Sequence, residues 1–181
     1  MPEISSLKGN CPTIMIQTLL FAIALLVSTV WIHAAGLGLL RLKIQRRSIS
    51  GHLTLAITVL LILVLHIIEI GMFAAAIWFL NFVVDIGEIV GAREFSAMDY
   101  FYYSAETFTA LGSGDLTVTG GLRLIAAIEP LNGLVLIAWT GAFTYWAMEH
   151  YWTVGKPTLP LKNNNGNCVA DHSATYSGTT K

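Results

Sequence analysis

The chain has 181 residues, of which 55% are hydrophobic and 12% are charged, and its mean hydropathy is +0.66. Soluble domains carry about 25% charged residues, so this composition excludes an ordinary soluble protein and indicates an integral membrane protein. The net charge of −1 offers no basic surface, so no nucleic-acid partner is expected.

Three apolar segments are long enough to cross a bilayer, which takes about 20 helical residues. They span residues 12–40, 53–82 and 122–151. The first is much longer than the apolar part of a cleaved signal peptide, about 7 to 15 residues, so we expect it to be retained. The predicted fold is an all-α membrane protein with three transmembrane helices.

The charges of the connecting segments predict the orientation. The connection 41–52 is basic, whereas 83–121 is mainly acidic. The positive-inside rule places 41–52 in the cytoplasm, so 83–121 lies outside. The N-terminal segment 1–11 is then external, and the tail 152–181, rich in Asn, Gly, Ser and Thr, is a disordered cytoplasmic segment. Cys11 and Cys168 fall on opposite sides, which excludes a disulfide between them.

The outer segment contains a short helix that cannot cross the membrane. Ser96 and Asp99 form a capping pattern, and residues 97–110 predict a helix of about 21 Å. The following "LGSGDLTVTGG" must return to the same side as irregular backbone, which is tolerated at membrane depth only where it is buried in protein or lines a water-filled cavity. This layout predicts a re-entrant pore helix and loop.

The glycines of the loop suggest its chemistry. Gly112 and Gly114 permit backbone conformations that turn successive carbonyls to one side, and a ring of carbonyls can replace the hydration shell of a cation. Because each chain supplies one loop, a closed ring needs cyclic symmetry. We therefore expect a homotetramer.

The stretch "YYSAETFTALGSGD" resembles the pore helix and selectivity filter of the potassium-channel superfamily, whose usual filter reads T-T-V-G-Y-G-D. The three-span plan is similar to that of small bacterial ion-channel proteins of the two-pore-domain potassium channel family. The matching positions are Tyr102, Tyr103, Ser104, Glu106, Thr107, Thr109, Gly112, Gly114 and Asp115.

The resemblance implies a filter with unusual residues. The filter would consist of Thr109, Ala110, Leu111, Gly112, Ser113 and Gly114. The family's Thr, Val and Tyr are replaced by Ala110, Leu111 and Ser113. We expect potassium conduction with a weakened preference over sodium, because a hydroxyl layer and the supporting aromatic ring are missing.

The resemblance also implies residues that brace the filter and a hinge. Glu106 and Asp115 match a pair that shares a proton behind the filter in some members; alternatively, Asp115 is solvated and Glu106 bonds locally to backbone. The hydroxyls of Tyr102 and Tyr103 are expected to bond to Ser113. Gly133 matches the hinge glycine of the inner helix, but a small residue for close helix packing is equally consistent.

Three ionisable residues lie within the predicted spans. A charge at mid-bilayer costs about 2.5 to 3.5 kcal/mol, so His66, Glu69 and Glu129 need partners. We expect them to form a polar cluster that joins the second and third spans. Such a cluster can act as structural glue or, because histidine titrates near neutrality, as a pH sensor.

The sequence bears on three other functions. His33 and His66 as haem ligands are disfavoured because they lie about 7 and 13 residues from the cytoplasmic ends, a mismatch of about 9 Å. An intramembrane protease is disfavoured because H-E-x-x-H and G-x-S-x-G are missing. A non-conducting subunit that keeps the channel fold stays open.

The prediction is therefore a cation channel of the bacterial inner membrane, in contact with lipids. No enzyme activity, cofactor or resident metal is expected, and the ligands are permeant K+ and, with weakened selectivity, Na+.

Overall fold

The computed structural model describes residues 11–46, 51–91, 96–154, 161–162 and 168–169. Four helices form the structure: α1 (Cys11–Arg46), α2 (Gly51–Phe82), α3 (Ala97–Phe108) and α4 (Leu122–Val154). Helices α1, α2 and α4 are long and apolar enough to cross a membrane. The predicted all-α membrane fold, with three such helices and one short helix between the last two, is confirmed.

The long helices are apolar on most of their circumference. Large side chains such as Leu20, Trp31 and Leu63 remain exposed on the single chain, which suits a helix surrounded by lipid. Pro130 lies inside α4. The helix continues through it because proline removes only one backbone donor, whose partner can be satisfied locally in a transmembrane helix.

Helix α3 begins at a capping box. The Asp99 carboxylate accepts hydrogen bonds from the backbone N–H of Ser96 at 2.7 Å and from its hydroxyl at 3.0 Å. The helix then runs for 12 residues, about 18 Å at 1.5 Å per residue. It ends at Phe108, two residues earlier than the predicted 97–110.

One face of α3 is buried in the main hydrophobic core, between α2 and α4. Tyr100, Tyr103 and Phe108 follow helical spacing and pack in one cluster with Phe73 of α2 and Ile125 of α4. The Nδ2 of Asn81 in α2 also donates to the hydroxyl of Tyr100 at 2.7 Å. The short helix is therefore held laterally by both neighbours.

A small sheet closes the base of the loop that carries α3. Strands β1 (Ile89–Val90) and β2 (Thr117–Val118) pair antiparallel, with Ile89 opposite Val118. Gly91 has φ +130°, and a Cβ there would collide with the carbonyl oxygen of Asp115. The sequence predicted irregular backbone here, because two-residue strands leave no alternating pattern to detect.

A second pair of two-residue strands lies beyond α4. Strand β3 (Leu161–Lys162) pairs antiparallel with β4 (Cys168–Val169). These four residues, like residues 152–154 at the end of α4, depart from the predicted disorder of the tail 152–181. The rest of that prediction, like those for residues 1–10 and for residues 47–50 of the basic connection, lies outside the described residues.

Candidate functional site: the pore loop and its supports

The end of α3 is a Schellman motif, which sets the start of the predicted filter. The N–H of Ala110 donates to the carbonyl of Thr107 at 3.0 Å, and the N–H of Leu111 donates to that of Glu106 at 2.9 Å. Ala110 occupies the left-handed position with φ +57°, where glycine is usual. The motif turns the chain sharply out of the helix.

Left-handed residues then recur at every second position. Ala110, Gly112 and Gly114 have φ of +57°, +56° and +80°, whereas Leu111 and Ser113 between them do not have positive φ. Alternating the sign of φ counters the usual rotation of successive peptide planes, so consecutive carbonyls can face one side of the chain. Glycine adopts this geometry without strain, while Ala110 bears a cost of about 1 to 2 kcal/mol.

The loop is open on its outer side in the single chain. Residues 109–115 are all exposed, and the side chain of Leu111 is 72% exposed. The N–H groups of Ala110, Leu111 and Gly112 donate to backbone carbonyls of α3. These bonds fix the side of the loop that faces the helix. This exposed backbone is available to a ligand or to another chain.

Ser113 connects the loop to α3 through Glu106. The Ser113 hydroxyl donates to Oε1 of Glu106, whose side chain is otherwise buried. The Tyr102 hydroxyl also bonds to this carboxylate, and that bond is the main reason why the pKa of Tyr102 is raised above its ordinary value. Ser113 also lies within bonding reach of Tyr102, so these three residues brace the loop together.

Two predicted braces are placed differently. Tyr103 is buried in the hydrophobic core with Phe108 and Leu136. Asp115 is exposed, and its Oδ1 accepts a hydrogen bond from the N–H of Leu116 at 2.9 Å. Within the described residues, the hydrogen-bond partner that Glu106 takes from the loop is Ser113, so the predicted Glu106–Asp115 pair is not formed. The Ser113 hydroxyl takes the place at the Glu106 carboxylate, and Asp115 bonds instead to the backbone N–H of Leu116.

Gly133 is where α4 contacts the end of α3. A Cβ at this position would lie far inside contact distance of the carbonyl oxygen of Phe108. The two helices approach closely because this residue has no side chain. Close packing therefore explains Gly133 in this structure, and the hinge role stays a prediction.

The three ionisable residues predicted to form one cluster, His66, Glu69 and Glu129, belong to two separate groups in the structure. In the first group, the Glu69 carboxylate bonds to Nδ1 of His66 at 2.9 Å and to Nδ1 of His33 at 2.8 Å. The Oγ1 of Thr140 lies 3.1 Å from Nε2 of His66 and 3.3 Å from Nε2 of His33. This group joins α1, α2 and α4.

Glu129 belongs to the second group, which lies against the middle of α3. Its Oε1 contacts the Ser104 hydroxyl, and Ser104 also bonds to the carbonyl oxygen of Ile70 at 2.9 Å. Pairing Glu129 with His66 and Glu69 was therefore wrong. The helix rotation directs Glu129 toward α3, which a comparison of depth along the helices could not show.

The surroundings of Glu129 favour its protonated form. Ser104 has one hydroxyl hydrogen, so it cannot donate to the Ile70 carbonyl and to Glu129 at the same time. When Ser104 donates to Ile70, its contact with Oε1 needs the hydrogen of a protonated Glu129. Its other oxygen, Oε2, is buried without a hydrogen-bond partner, which a neutral acid tolerates far better than a carboxylate does.

His33 is a member of the first polar group that the sequence analysis placed at the wrong depth. Helix α1 continues beyond residue 40 to Arg46, and α2 begins at Gly51. His33 and His66 therefore lie at nearly the same depth, and the expected mismatch of about 9 Å at 1.5 Å per residue is wrong. The apolar residues Leu37, Leu40 and Ile44 continue the helical spacing beyond residue 40 and are buried, and this spacing was the available signal.

The two histidines do not fit a haem. Their ring centroids are 5.3 Å apart, and the ring nitrogens contact Glu69 and Thr140. No nitrogen pair is left to ligate an iron from opposite faces of a macrocycle. Among the described residues, His33, His66 and Glu69 are also close enough to surround a smaller metal ion, but their ligand atoms already bond to one another.

Comparison with known proteins identifies the family. Residues 56–148, just over half of the chain, match the family described as Ion channel. No curated protein and no solved structure matches the chain. The chain belongs to this ion-channel family, in the pore-domain class of the potassium-channel superfamily. The match covers α3 and the loop and most of α2 and α4, whereas α1 lies outside it.

Proposed function

We propose that the protein is a homotetrameric cation channel in which residues 109–114 form the selectivity filter and α4 lines the pore. The observation that carries this proposal is the alternation of left-handed residues at Ala110, Gly112 and Gly114, directly after a helix too short to cross the membrane. Stacked carbonyl layers of this kind replace the water around a cation.

The exposed outer side of the loop supports the tetramer. Four copies around one axis would face their loops inward and enclose a single file of carbonyl rings. The exposed Leu111 side chain would then contact a neighbouring subunit. A non-conducting subunit that keeps this fold is the second candidate, and it would yield no current alone.

Selectivity for potassium is proposed to be present but weakened. The Ser113 hydroxyl holds the loop through the Glu106 carboxylate, in place of the packed aromatic ring that the resemblance leads us to expect. Ala110 has no hydroxyl for the innermost ligand layer. A filter with fewer and less firmly spaced layers discriminates less between K+ and Na+.

A bilayer recording of the purified protein, with potassium on one side and sodium on the other, tests this function. We expect a cation current whose reversal potential lies between zero and the potassium equilibrium potential. Ser113→Tyr combined with Ala110→Thr should move the reversal potential toward the potassium value. Thr119→Ser, a conservative change outside the filter, serves as the control and should leave it unchanged.

Two results would contradict the proposal. A reversal potential of the unmodified protein already at the potassium value would show that selectivity is not weakened. An anion current, or no current from a correctly assembled tetramer, would reject cation conduction by the protein alone.

We also propose a membrane and an orientation for the protein. We place the protein in a bacterial inner membrane, with the basic connection after α1 in the cytoplasm. Arg41 supports a position of this end of α1 at a membrane boundary, because its guanidinium lies 5.4 Å above the ring of Trp146 in α4. An aromatic ring beside a cation is typical of the membrane boundary.

A further inference from the structure

Four side chains from three helices form a closed ring of hydrogen bonds inside the apolar part of the molecule. Glu69 contacts the Nδ1 atoms of His33 and His66 at 2.8 and 2.9 Å. Thr140 contacts the Nε2 atoms of the same rings at 3.3 and 3.1 Å. His33 and Glu69 are fully buried, so water cannot replace the contact between them.

Counting hydrogens shows what the ring contains. Each of the four contacts needs one hydrogen. With Glu69 ionised, both Nδ1 atoms must be protonated to donate to it, and Thr140 can donate its single hydrogen to only one Nε2. The fourth contact forms only if the other histidine also carries a hydrogen on Nε2, which makes that histidine an imidazolium.

Charge leads to the same protonation state. One imidazolium together with ionised Glu69 gives a ring of zero net charge. Removing the additional proton would leave one contact unmade and an uncompensated carboxylate at membrane depth, which costs several kcal/mol. A second additional proton would leave one hydrogen without an acceptor and a net positive charge.

We propose that His33, Glu69, His66 and Thr140 form an intramembrane proton-binding site that holds one proton beyond those of an ionised glutamate and two neutral histidines. Two coupled proton shifts, in which the Thr140 hydroxyl gives its hydrogen to one Nε2 and takes the hydrogen of the other Nε2, transfer the imidazolium between His66 and His33 without breaking the ring. The proton thus belongs to the ring and fastens α1, which lies outside the family match, to α2 and α4.

The surroundings contain no competing charge among the described contacts. The charged groups that act on Glu69 are the two histidines. Trp139 of α4 packs against His33 at 5.4 Å between ring centroids, and Phe108 of α3 packs against His66 at 6.0 Å. Two other ionisable groups of α1 and α4 are engaged elsewhere, Glu129 with Ser104 and Arg41 with Trp146.

Glu69→Gln is a variant that separates the proton from the packing. The amide donates one hydrogen and accepts one, so all four contacts can form with two neutral histidines. The ring keeps its shape and zero charge but has no place for the additional proton. Glu88→Gln, which changes an exposed carboxylate outside the ring, is the matched control.

The experiment measures the protonation of His33 and His66 by nitrogen-15 magnetic resonance of full-length protein in lipid. His52, His150 and His172 are first replaced by Gln, so that only the two ring histidines give signals. The spectra are recorded at about pH 7.5, where a histidine in water, with a pKa of about 6.5, is mostly neutral. The difference infrared spectrum against Glu69→Gln reports the protonation of Glu69.

We expect one imidazolium for the two histidines in the parent protein and in Glu88→Gln, and none in Glu69→Gln. A protonated Glu69 with two neutral histidines would support the site equally, because that ring contains the same number of hydrogens. An ionised Glu69 with two neutral histidines would overturn the proposal. A histidine spectrum that Glu69→Gln leaves unchanged would also overturn it. The parent spectrum alone decides if Glu69→Gln does not fold.

Discussion

Single side chains decide how α3 is held at membrane depth, and Ser104 is central among them. It is fully buried and contacts both the Ile70 carbonyl and the Glu129 carboxyl. A hydroxyl that accepts from one partner and donates to another transmits the position of α4 to α2. The protonated form of Glu129 is thus part of the packing of three helices.

Replacing Glu129 by Gln should be almost neutral. The amide supplies the hydrogen that the acid donates to Ser104, so the free energy of unfolding should change by less than about 1 kcal/mol. Ser104→Ala should cost about 1 to 3 kcal/mol, because it leaves the buried Glu129 without its hydrogen-bond partner. Thermal unfolding in detergent compares the two variants.

An infrared spectrum provides the control for this comparison. The band of a protonated carboxyl should weaken in Glu129→Gln and persist in Ser104→Ala. If Glu129→Gln were as destabilising as Ser104→Ala, Glu129 would be a carboxylate in the native protein and the hydrogen count would be wrong.

The second prediction at this scale concerns Ser113. Ser113→Ala removes the loop donor to the buried Glu106 carboxylate, and an unpaired acceptor costs about 1 to 3 kcal/mol. We expect shorter open times or faster inactivation in single-channel recordings. Ser113→Thr keeps the hydroxyl and should restore the parent behaviour. Equal open times in Ser113→Ala and the parent would remove Glu106 from the bracing.

At the scale of elements, the contact between α3 and α4 depends on the space at Gly133. The Phe108 carbonyl occupies the volume that a Cβ would need. A second glycine of α4, Gly141, has nothing within 4 Å of an added Cβ. Substitutions at Gly133 and at Gly141 therefore separate the effect of helix propensity from the effect of the close approach between α3 and α4.

Gly133→Ala should destabilise the protein although alanine favours helix. The gain in propensity is about 1 kcal/mol, whereas forcing a methyl group into a packed contact costs about 1 to 3 kcal/mol and displaces backbone. Gly141→Ala has the gain without the cost and should be neutral or stabilising. Thermal unfolding in detergent measures both variants.

The same two variants distinguish packing from hinge bending. If Gly133 acts only as a hinge, Gly133→Ala should unfold at the same temperature as Gly141→Ala and alter only the gating of the channel. If Gly133→Ala unfolds at a lower temperature but its folded fraction conducts like the parent, Gly133 serves packing alone.

The elements show what the sequence could and could not predict. The long apolar runs and the Ser96–Asp99 cap predicted the order of helices, because hydrophobicity and local hydrogen bonds are properties of short segments. The pairing of Ile89 with Val118 and the meeting of His33 with Glu69 depend on helix rotation and depth. Those quantities are fixed by the packing of distant segments, so residue spacing alone misplaced Glu129 and His33.

At the scale of the whole molecule, the single chain leaves its loop incompletely covered. Leu111 is 72% exposed, and Tyr102 on α3 is also exposed. A large apolar side chain in a loop that faces water is unfavourable by about 1.5 to 3 kcal/mol relative to a buried one. The proposed tetramer would cover it four times around the axis.

Leu111→Ala should therefore weaken the assembly without unfolding the subunit. Its contacts within the chain are few, so the helix content of the variant should equal that of the parent. Its tetramer should dissociate at a lower temperature, because truncating an apolar side chain at a packed interface costs about 2 to 4 kcal/mol per site. Leu39→Ala changes a side chain that is 63% exposed on α1, away from the loop, and should leave dissociation unchanged.

Cross-linking in mild detergent at rising temperature follows both variants, and the parent protein should give a series of bands that ends at the tetramer. A dimer as the largest species would reject the four-fold pore, and equal dissociation of both variants would place Leu111 outside the interface.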